Sequence, residues 1–395
     1  MARLILTLNA GSSSLKFAVY RPLPGQADGM SATMRGGIQD LDAAAHLIAR
    51  DAADAVLVER RWPAGTGDLF TKVLVTLFDV IEAQPGHDGI AAVGHRVVHG
   101  GADHIAPTVV TPALLAALEA LTPLAPLHMP GNLALMRAVA AARPALTQVA
   151  CFDTAFHHTM PPVAARFALP RALHGAGVRR YGFHGLSYEY IAGHLAQQSP
   201  ALARGRIIVA HLGAGASLCA LQDGRSIDIT TGFSALDGLV MATRCGSLDP
   251  GVILYLGRQG RSLGDIEEML YRHSGLLGVS GISGDVRVLL GSGQPEAREA
   301  IELFTYRIAA ATGALVSALG GLDGLVFTAG IGEHSAPIRA AVCARLAWLG
   351  VRLDEAANAG NAACISRQDS AVEIRVIATD EEAMIARHTR MAIDA

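Results

Sequence analysis

Near the amino terminus, the run Asn9-Ala10-Gly11-Ser12-Ser13-Ser14-Leu15-Lys16 combines small residues, three hydroxyls and a cation. Small side chains let backbone N–H groups approach an anion, the hydroxyls donate to it, and a lysine adds a point charge. Lys16 is one of only two lysines (the other is Lys72) in a chain with 30 arginines. The run lacks GxxxxGK[ST] spacing and leads into a strand, so it is not a P-loop. His211-Leu212-Gly213-Ala214-Gly215 can cradle a second phosphate through N–H groups and an imidazole. Gly330-Ile331-Gly332-Glu333-His334, directly after an apolar strand, reads as a third glycine turn, suited to close approach by a nucleoside. An ordinary structural turn explains any one of these alone; three at strand ends favour a nucleotide.

Two arginines stand in apolar surroundings. Arg96 lies within Gly94-His95-Arg96-Val97-Val98-His99-Gly100-Gly101, and Arg244 within Met241-Ala242-Thr243-Arg244-Cys245-Gly246. An unpaired charge is expensive there. Each could belong to a buried ion pair, whereas two forked cations together would suit an anionic substrate or a transferring phosphoryl group. Asp153 falls where a strand ends, the usual address of ligand-facing side chains in open α/β sheets, or else caps a following helix. His184 sits between glycines in a loop. His95/His99 and His157/His158 invite a metal reading, but the first pair lies in a strand and neither has HExxH chemistry.

The elements that must position these residues alternate in type. Apolar runs at 4–8, 15–20, 91–98, 148–152, 207–211, 217–221 and 325–328 read as strands, several buried on both faces. Helical spacing covers 112–121, 132–142, 187–198, 262–271 and 296–319, with Pro112 and Ser187 as start signals. The chain is therefore α/β. Residues 4–20 and 207–221 share a pattern of strand, polar residue, small-residue turn and return strand, with Gly11 and Gly213 in matching places. Two ordinary hairpins would explain this, as would a duplicated fold. The 395 residues suit two domains, and 51% apolar against 17% charged residues excludes disorder. A net charge of −3 with no basic cluster argues against nucleic acid. Five scattered cysteines without CxxC fit a reducing compartment. The N-terminal apolar run is too short for a signal peptide. The long apolar stretch 309–330 is cut by Gly320-Gly321-Leu322-Asp323-Gly324 into a helix, a turn and a strand, which argues against a membrane span and for a cytoplasmic protein.

Taken together, the loops at 9–16, 94–101, 152–156, 180–185, 211–217, 243–250 and 327–333, with Thr379-Asp380-Glu381-Glu382, resemble the acetate kinase family over nearly the whole chain. The resemblance implies two duplicated α/β domains of the sugar kinase/Hsp70/actin (ribonuclease H-like) superfamily, an interdomain nucleotide cleft and a homodimer. It places the first domain at 1–152 plus a C-terminal helix 382–395, and the second at 153–381. It further implies reversible, in-line, Mg²⁺-dependent phosphoryl transfer (Mn²⁺ substituting) from ATP to acetate, giving ADP and acetyl phosphate. By resemblance, Asn9 and Glu381 serve the metal, and Arg96 engages acetate or acetyl phosphate. Asp153, His184 and Arg244 are catalytic, and Ser12, Ser14 and Lys16 form the phosphate loop. His211, Leu212, Gly213, Ala214 and Gly215 bind nucleotide, with Asp285, Val286, Arg287, Gly330, Ile331, Gly332, Glu333 and His334.

The residues agree with that chemistry. Acetate is already ionised at neutral pH, so it needs no base, and catalysis reduces to alignment and charge neutralisation. Asp153 is expected to orient Arg96, Arg244 or metal-bound water. Ala214 stands where the family usually has Asn, removing a donor near the phosphates; Met129, His334 and Asp380 also depart from a usual Asn. Propionate or butyrate kinase is the alternative within the enzyme class, with Val98, Leu127 and Phe183 as candidate pocket walls. A non-catalytic ATPase module would need no pair of anion-clamping arginines, and a sugar kinase would need a base.

Overall fold

The computed structural model describes residues 3–11, 14–23, 25, 29–39, 45–67, 69–84, 86 and 89–394. They form two compact units, one spanning 1–155 with 380–395 and the other 156–379.

In the first unit, strands β1 (Leu4–Ala10), β2 (Leu15–Pro22), β3 (Met30–Gln39), β4 (His46–Asp51), β5 (Val56–Arg61), β6 (Ile90–Val97), β7 (Thr108–Val109) and β8 (Thr147–Phe152) make one sheet, in the order β5-β4-β3-β2-β1-β6-β8-β7. β1 runs antiparallel to β2 and parallel to β6, which is parallel to β8. Alternation along β1 feeds two cores. Leu4, Leu6 and Leu8 pack with Phe17 and with residues of the helices Leu69–Glu82 and Met129–Ala142, while Ile5 meets Ala18, Tyr20 and Ala386. Burial on both faces explains why the strand reads as unbroken apolar sequence. The helix Glu381–Asp394 lies across β1, β6 and β8 so closely that a Cβ at Gly94 would overlap Thr389 and Ile385. Only glycine fits there.

The second unit carries β9 (Arg206–Leu212), β10 (Ala216–Gln222), β11 (Arg225–Ile229), β12 (Gly324–Thr328) and β13 (Glu373–Val376), in the order β11-β10-β9-β12-β13. β9 to β11 are antiparallel neighbours, and β12 and β13 continue parallel to β9. That repeats β3-β2-β1-β6-β8 in order and direction. Both hairpin turns close on themselves: Gly11 N–H donates to Ser14 O (2.8 Å) and Gly213 N–H to Gly215 O (3.1 Å). The shared pattern at 4–20 and 207–221 thus reflects duplication. Ile207 and Val209 face a core with Tyr188, Ile191 and Leu195, whereas Ile208 and Ala210 face Ala300, Phe304 and Ile308 of the helix Pro295–Leu319.

The expected strands and helices all appear, with two local corrections. The helix read as starting at Ser187 begins at Gly185, preceded by His184; Ser187 is inside it, fully buried, and its hydroxyl meets His211 Nδ1 at 2.9 Å. The residues read as a third glycine turn form a short helix, Ala329–His334, because the chain reverses at Ala329 (φ 63°) and needs no loop. Helix Pro295–Leu319 ends at left-handed Gly320 (φ 70°), followed by β12. Among the described residues no helix is long and apolar enough to cross a membrane.

Candidate functional site

Within the first unit, charged residues from three distant segments meet. β6 delivers Arg96 and the end of β8 delivers Asp153, whose N–H is held by Val97 O at 3.0 Å. Arg96 Nε donates to both Asp153 oxygens (3.0 Å each), and Nη2 to Oδ2 at 2.6 Å. Asp153 is 1% exposed and the Arg96 side chain 14%. The fork is therefore oriented from behind and keeps an accessible edge. Arg96 Nη1 also donates to Asn9 Oδ1 at 3.2 Å, leaving the Asn9 amide N–H groups for Glu381 (2.9 Å) and Glu382 (3.0 Å). Burial opposes the Arg96 charge, but Asp153 and Glu381 outweigh it and hold the guanidinium firmly protonated. Burial, followed by repulsion from Glu381, raises the Glu382 carboxyl above its usual range, with Lys16 pulling the other way.

Asp380 fixes the helix that brings these glutamates. It accepts from Arg35 (2.7 Å) and from the Tyr20 hydroxyl (3.1 Å), and its Oδ1 caps Ala383 N–H at 2.8 Å. The Glu381 and Glu382 carboxylates are hard donors, of the kind that Mg²⁺ takes, and Asn9 would add its amide oxygen by turning it away from Arg96 Nη1, so the residues fit a divalent cation. Ser14 closes the β1–β2 turn, Lys16 is exposed on β2, and Ser12 lies outside the described residues.

The second unit fixes its histidine through ring stacking and hydroxyls. His184 is left-handed (φ 58°), a costly conformation for a non-glycine residue. Its ring stacks on His211, with centroids 4.2 Å apart and planes at 12°. His184 Nδ1 meets Ser217 Oγ at 2.8 Å, and Ser217 Oγ meets the Tyr188 hydroxyl at 2.6 Å. A Cβ at Gly215 would lie 3.3 Å from His184 Nε2, so that nitrogen points at the glycine turn. His157, singled out above as a metal candidate, instead braces this loop. It contacts Ser226 Oγ (2.9 Å) and Phe183 O (3.0 Å), and burial pushes its pKa down to about 4. Among the described residues no three His, Cys, Asp or Glu side chains cluster for a metal.

Arg244 donates to Ala235 O at 3.2 Å. Its loop is pinned by Gly275 (φ 63°), where a Cβ would strike the Arg244 and Met241 backbone. The same loop reaches the His211–Gly215 turn through Ala242 N–H to Ala214 O (3.1 Å). Beside that junction is a cavity of about 910 Å³. Gly213 and Ala214 line it from the turn, and Asp285, Val286 and Arg287 from the start of the helix Val286–Gly291. Gly330, Ile331 and His334 complete that side. The other sequence candidates face elsewhere: His211 and Leu212 are buried in β9, Gly215 faces His184, Gly332 is buried, and Glu333 Oε1 accepts from Thr379 N–H at 3.2 Å. Sequence reasoning missed Ala242, Gly284, Leu290, Ser335 and Pro337 in the wall. Only Gly284, adjacent to Asp285, carries a signal, since a Cβ there would press Ala242 O at 2.7 Å.

Comparison with known proteins identifies the family. The family model of the acetokinase family matches residues 4–387. An acetate kinase of Rhodopseudomonas palustris is 53% identical over 393 residues, covering 98% of both chains. The crystal structure of Porphyromonas gingivalis acetate kinase superposes with a TM-score of 0.86 at 35% identity, covering 99% of this chain and all of that one. A propionate kinase from Francisella tularensis gives 0.88 at 36%, covering 98% and 99%. The repeated strand order is accordingly that of the duplicated actin-like α/β fold. The chain belongs to the acetokinase family.

Proposed function

We infer that the protein is a phosphotransferase with a carboxyl acceptor, interconverting ATP and acetate with ADP and acetyl phosphate. One observation carries the acceptor: a guanidinium fixed from behind by a buried aspartate, with an accessible edge beside two glutamates and an asparagine. A small carboxylate is the ligand such a fork suits. Asp153 is committed to Arg96 by three hydrogen bonds, so it positions the arginine and does not act as a base. Asn9 and Glu381 would hold Mg²⁺, which supplies charge neutralisation on the phosphate oxygens. The roughly 910 Å³ cavity with glycine-rich walls suits the nucleoside end of ATP or ADP. Arg244 and His184 Nε2 offer donors to a transferring phosphoryl group. His184 is held in one orientation by Ser217 and Tyr188, which lowers the cost of aligning it.

The propionate kinase neighbour keeps a longer acid as second reading. Trapping acyl phosphate with hydroxylamine, using purified protein, MgATP and acetate, propionate or butyrate in parallel, tests both. Acetyl hydroxamate should dominate at equal subsaturating acid; dominance of the propionyl product would select the second reading, and none at all would overturn the inference. A homodimer is part of the same reading. The helix Pro250–Arg258 buries no residue in the single chain and exposes Leu254 and Tyr255, each 60%, a face that a second copy would cover. Leu254→Asp should then shift the sedimentation coefficient toward the monomer. The five scattered cysteines, none in a disulfide, fit a cytoplasmic setting.

A further inference from the structure

Arg339 is the largest side chain with no solvent exposure, and among the described residues it meets no carboxylate. Its five hydrogen bonds all end on neutral oxygens. Nε donates to Asn358 Oδ1 (2.7 Å), Nη1 to Gly332 O (2.9 Å) and Glu333 O (2.8 Å), and Nη2 to Asn358 O (2.8 Å) and Asn361 Oδ1 (2.6 Å). Burying a guanidinium without a counter-ion is costly, so its place needs a reason.

The carbonyls it caps supply one. Gly332 and Glu333 lie in the last turn of the helix Ala329–His334, where carbonyls lack intrahelical partners. Continuation of the helix would bond Glu333 O to the N–H of residue 337, but residue 337 is proline and has none. The cation meets the negative end of the helix and ties it to Asn358 and Asn361. The tethered helix is the one that carries Gly330, Ile331 and His334 into the cavity wall.

We propose that Arg339 is a positioning residue for the nucleotide: by clamping the carbonyl end of helix Ala329–His334, it sets the wall against which the nucleoside packs. The proposal rests on the cavity being the nucleotide site, as inferred above. It separates nucleotide binding from handling of the acid, since the five hydrogen bonds of Arg339 all stay within the second unit.

Arg339→Lys keeps the charge but loses the five-donor fork. Asn361→Gly removes one acceptor while preserving the positive φ (51°), and serves if the lysine variant does not fold. Gly330→Phe, at a position with no heavy atom within 4 Å of a built Cβ, obstructs the cavity directly. Each variant is compared with the unaltered enzyme by ADP titration calorimetry and by KM for ATP and acetate. Arg339→Lys should weaken ADP and raise the ATP KM by about tenfold or more, and Asn361→Gly by a few-fold, with acetate KM and kcat moving less than about threefold. Weakened ADP in Gly330→Phe together with unchanged ADP affinity in the folded Arg339 or Asn361 variant overturns the role of Arg339 and leaves the site standing. Unchanged affinity in all of them overturns both. A parallel rise in both KM values would mark Arg339 as a general structural support and also overturn the proposal.

Discussion

The two units share a five-strand core in the same order and direction, yet they hold their candidate groups by opposite means. The first relies on full charges. Arg96 bridges Asp153 and the Asn9 amide, which in turn bonds Glu381 and Glu382, so removing Arg96 strands Asp153 in a poorly solvated place. The second holds its groups through backbone and hydroxyls, with Arg244 donating to Ala235 O and His184 fixed through Ser217 and Tyr188. A charge cluster recognises a small anion or cation and couples recognition to stability. A cavity of about 910 Å³ takes a larger ligand. Duplication thus preserved the scaffold while the chemistry at the strand ends diverged.

Breaking the charge cluster tests the contrast most severely. Arg96→Ala leaves Asp153 buried without its partner and should cost about 3–5 kcal/mol of stability together with nearly all acyl phosphate formation. Denaturant unfolding and the hydroxamate assay measure the two losses; a fully stable Arg96→Ala protein would break the comparison. Arg244→Ala should instead lower kcat by on the order of 10²–10³ with little change in Tm, as for a donor used in the transition state. Glu381→Ala should raise the Mg²⁺ needed for half-maximal rate by about tenfold or more, well beyond any change in acetate KM. If Glu381 only caps its helix, Tm falls and the metal requirement stays. Tyr188→Phe removes the outer link to Ser217 and His184, and steady-state kinetics should show kcat reduced about 2–10-fold.

The last effect is one on which the units should agree. Each contains a buried neutral histidine, His95 against Gln148 Oε1 (2.8 Å) and His157, and burial pushes both pKa values down to about 4. The ordinary value is 6.5, so between pH 6.5 and 4 the unfolded chain binds protons that the folded one refuses. Stability should be level above that window and fall as pH drops through it. Tm measured against pH follows this, and His157→Gln should flatten the decline without abolishing it, because His95 still contributes.

Much of this was legible from spacing. Continuous apolar runs such as 207–211 marked strands buried on both faces, and the match between Gly11 and Gly213 left duplication and two ordinary hairpins open until the repeated strand order selected the former. Arg96 in an apolar strand signalled a buried partner, although only the fold shows that the partner is Asp153, 57 residues away. Strand β3 (Met30–Gln39) carries polar and glycine-containing sequence and gave no periodic signal. The helix Ala329–His334 was misread because two glycines in five residues resemble a turn, whereas Arg339 and the backbone reversal at Ala329 make it helical. Ala242 and Pro337 escaped notice because neither side chain carries chemistry and only the fold brings them to the cavity.

Asn9 and Glu381 touch across 372 positions of sequence, and this long separation has a consequence for synthesis. A ribosome adds residues in order, so the second unit, continuous from 156 to 379, leaves the exit tunnel before the helix Glu381–Asp394 that completes the first. Until then β1, β6 and β8 wait with the surface around Gly94 uncovered, and the carboxylates for the cation do not yet exist. A nascent chain therefore has no means of turning over substrate. Prematurely terminated products lacking the helix would carry an exposed apolar sheet face, the kind of surface that chaperones and proteases recognise.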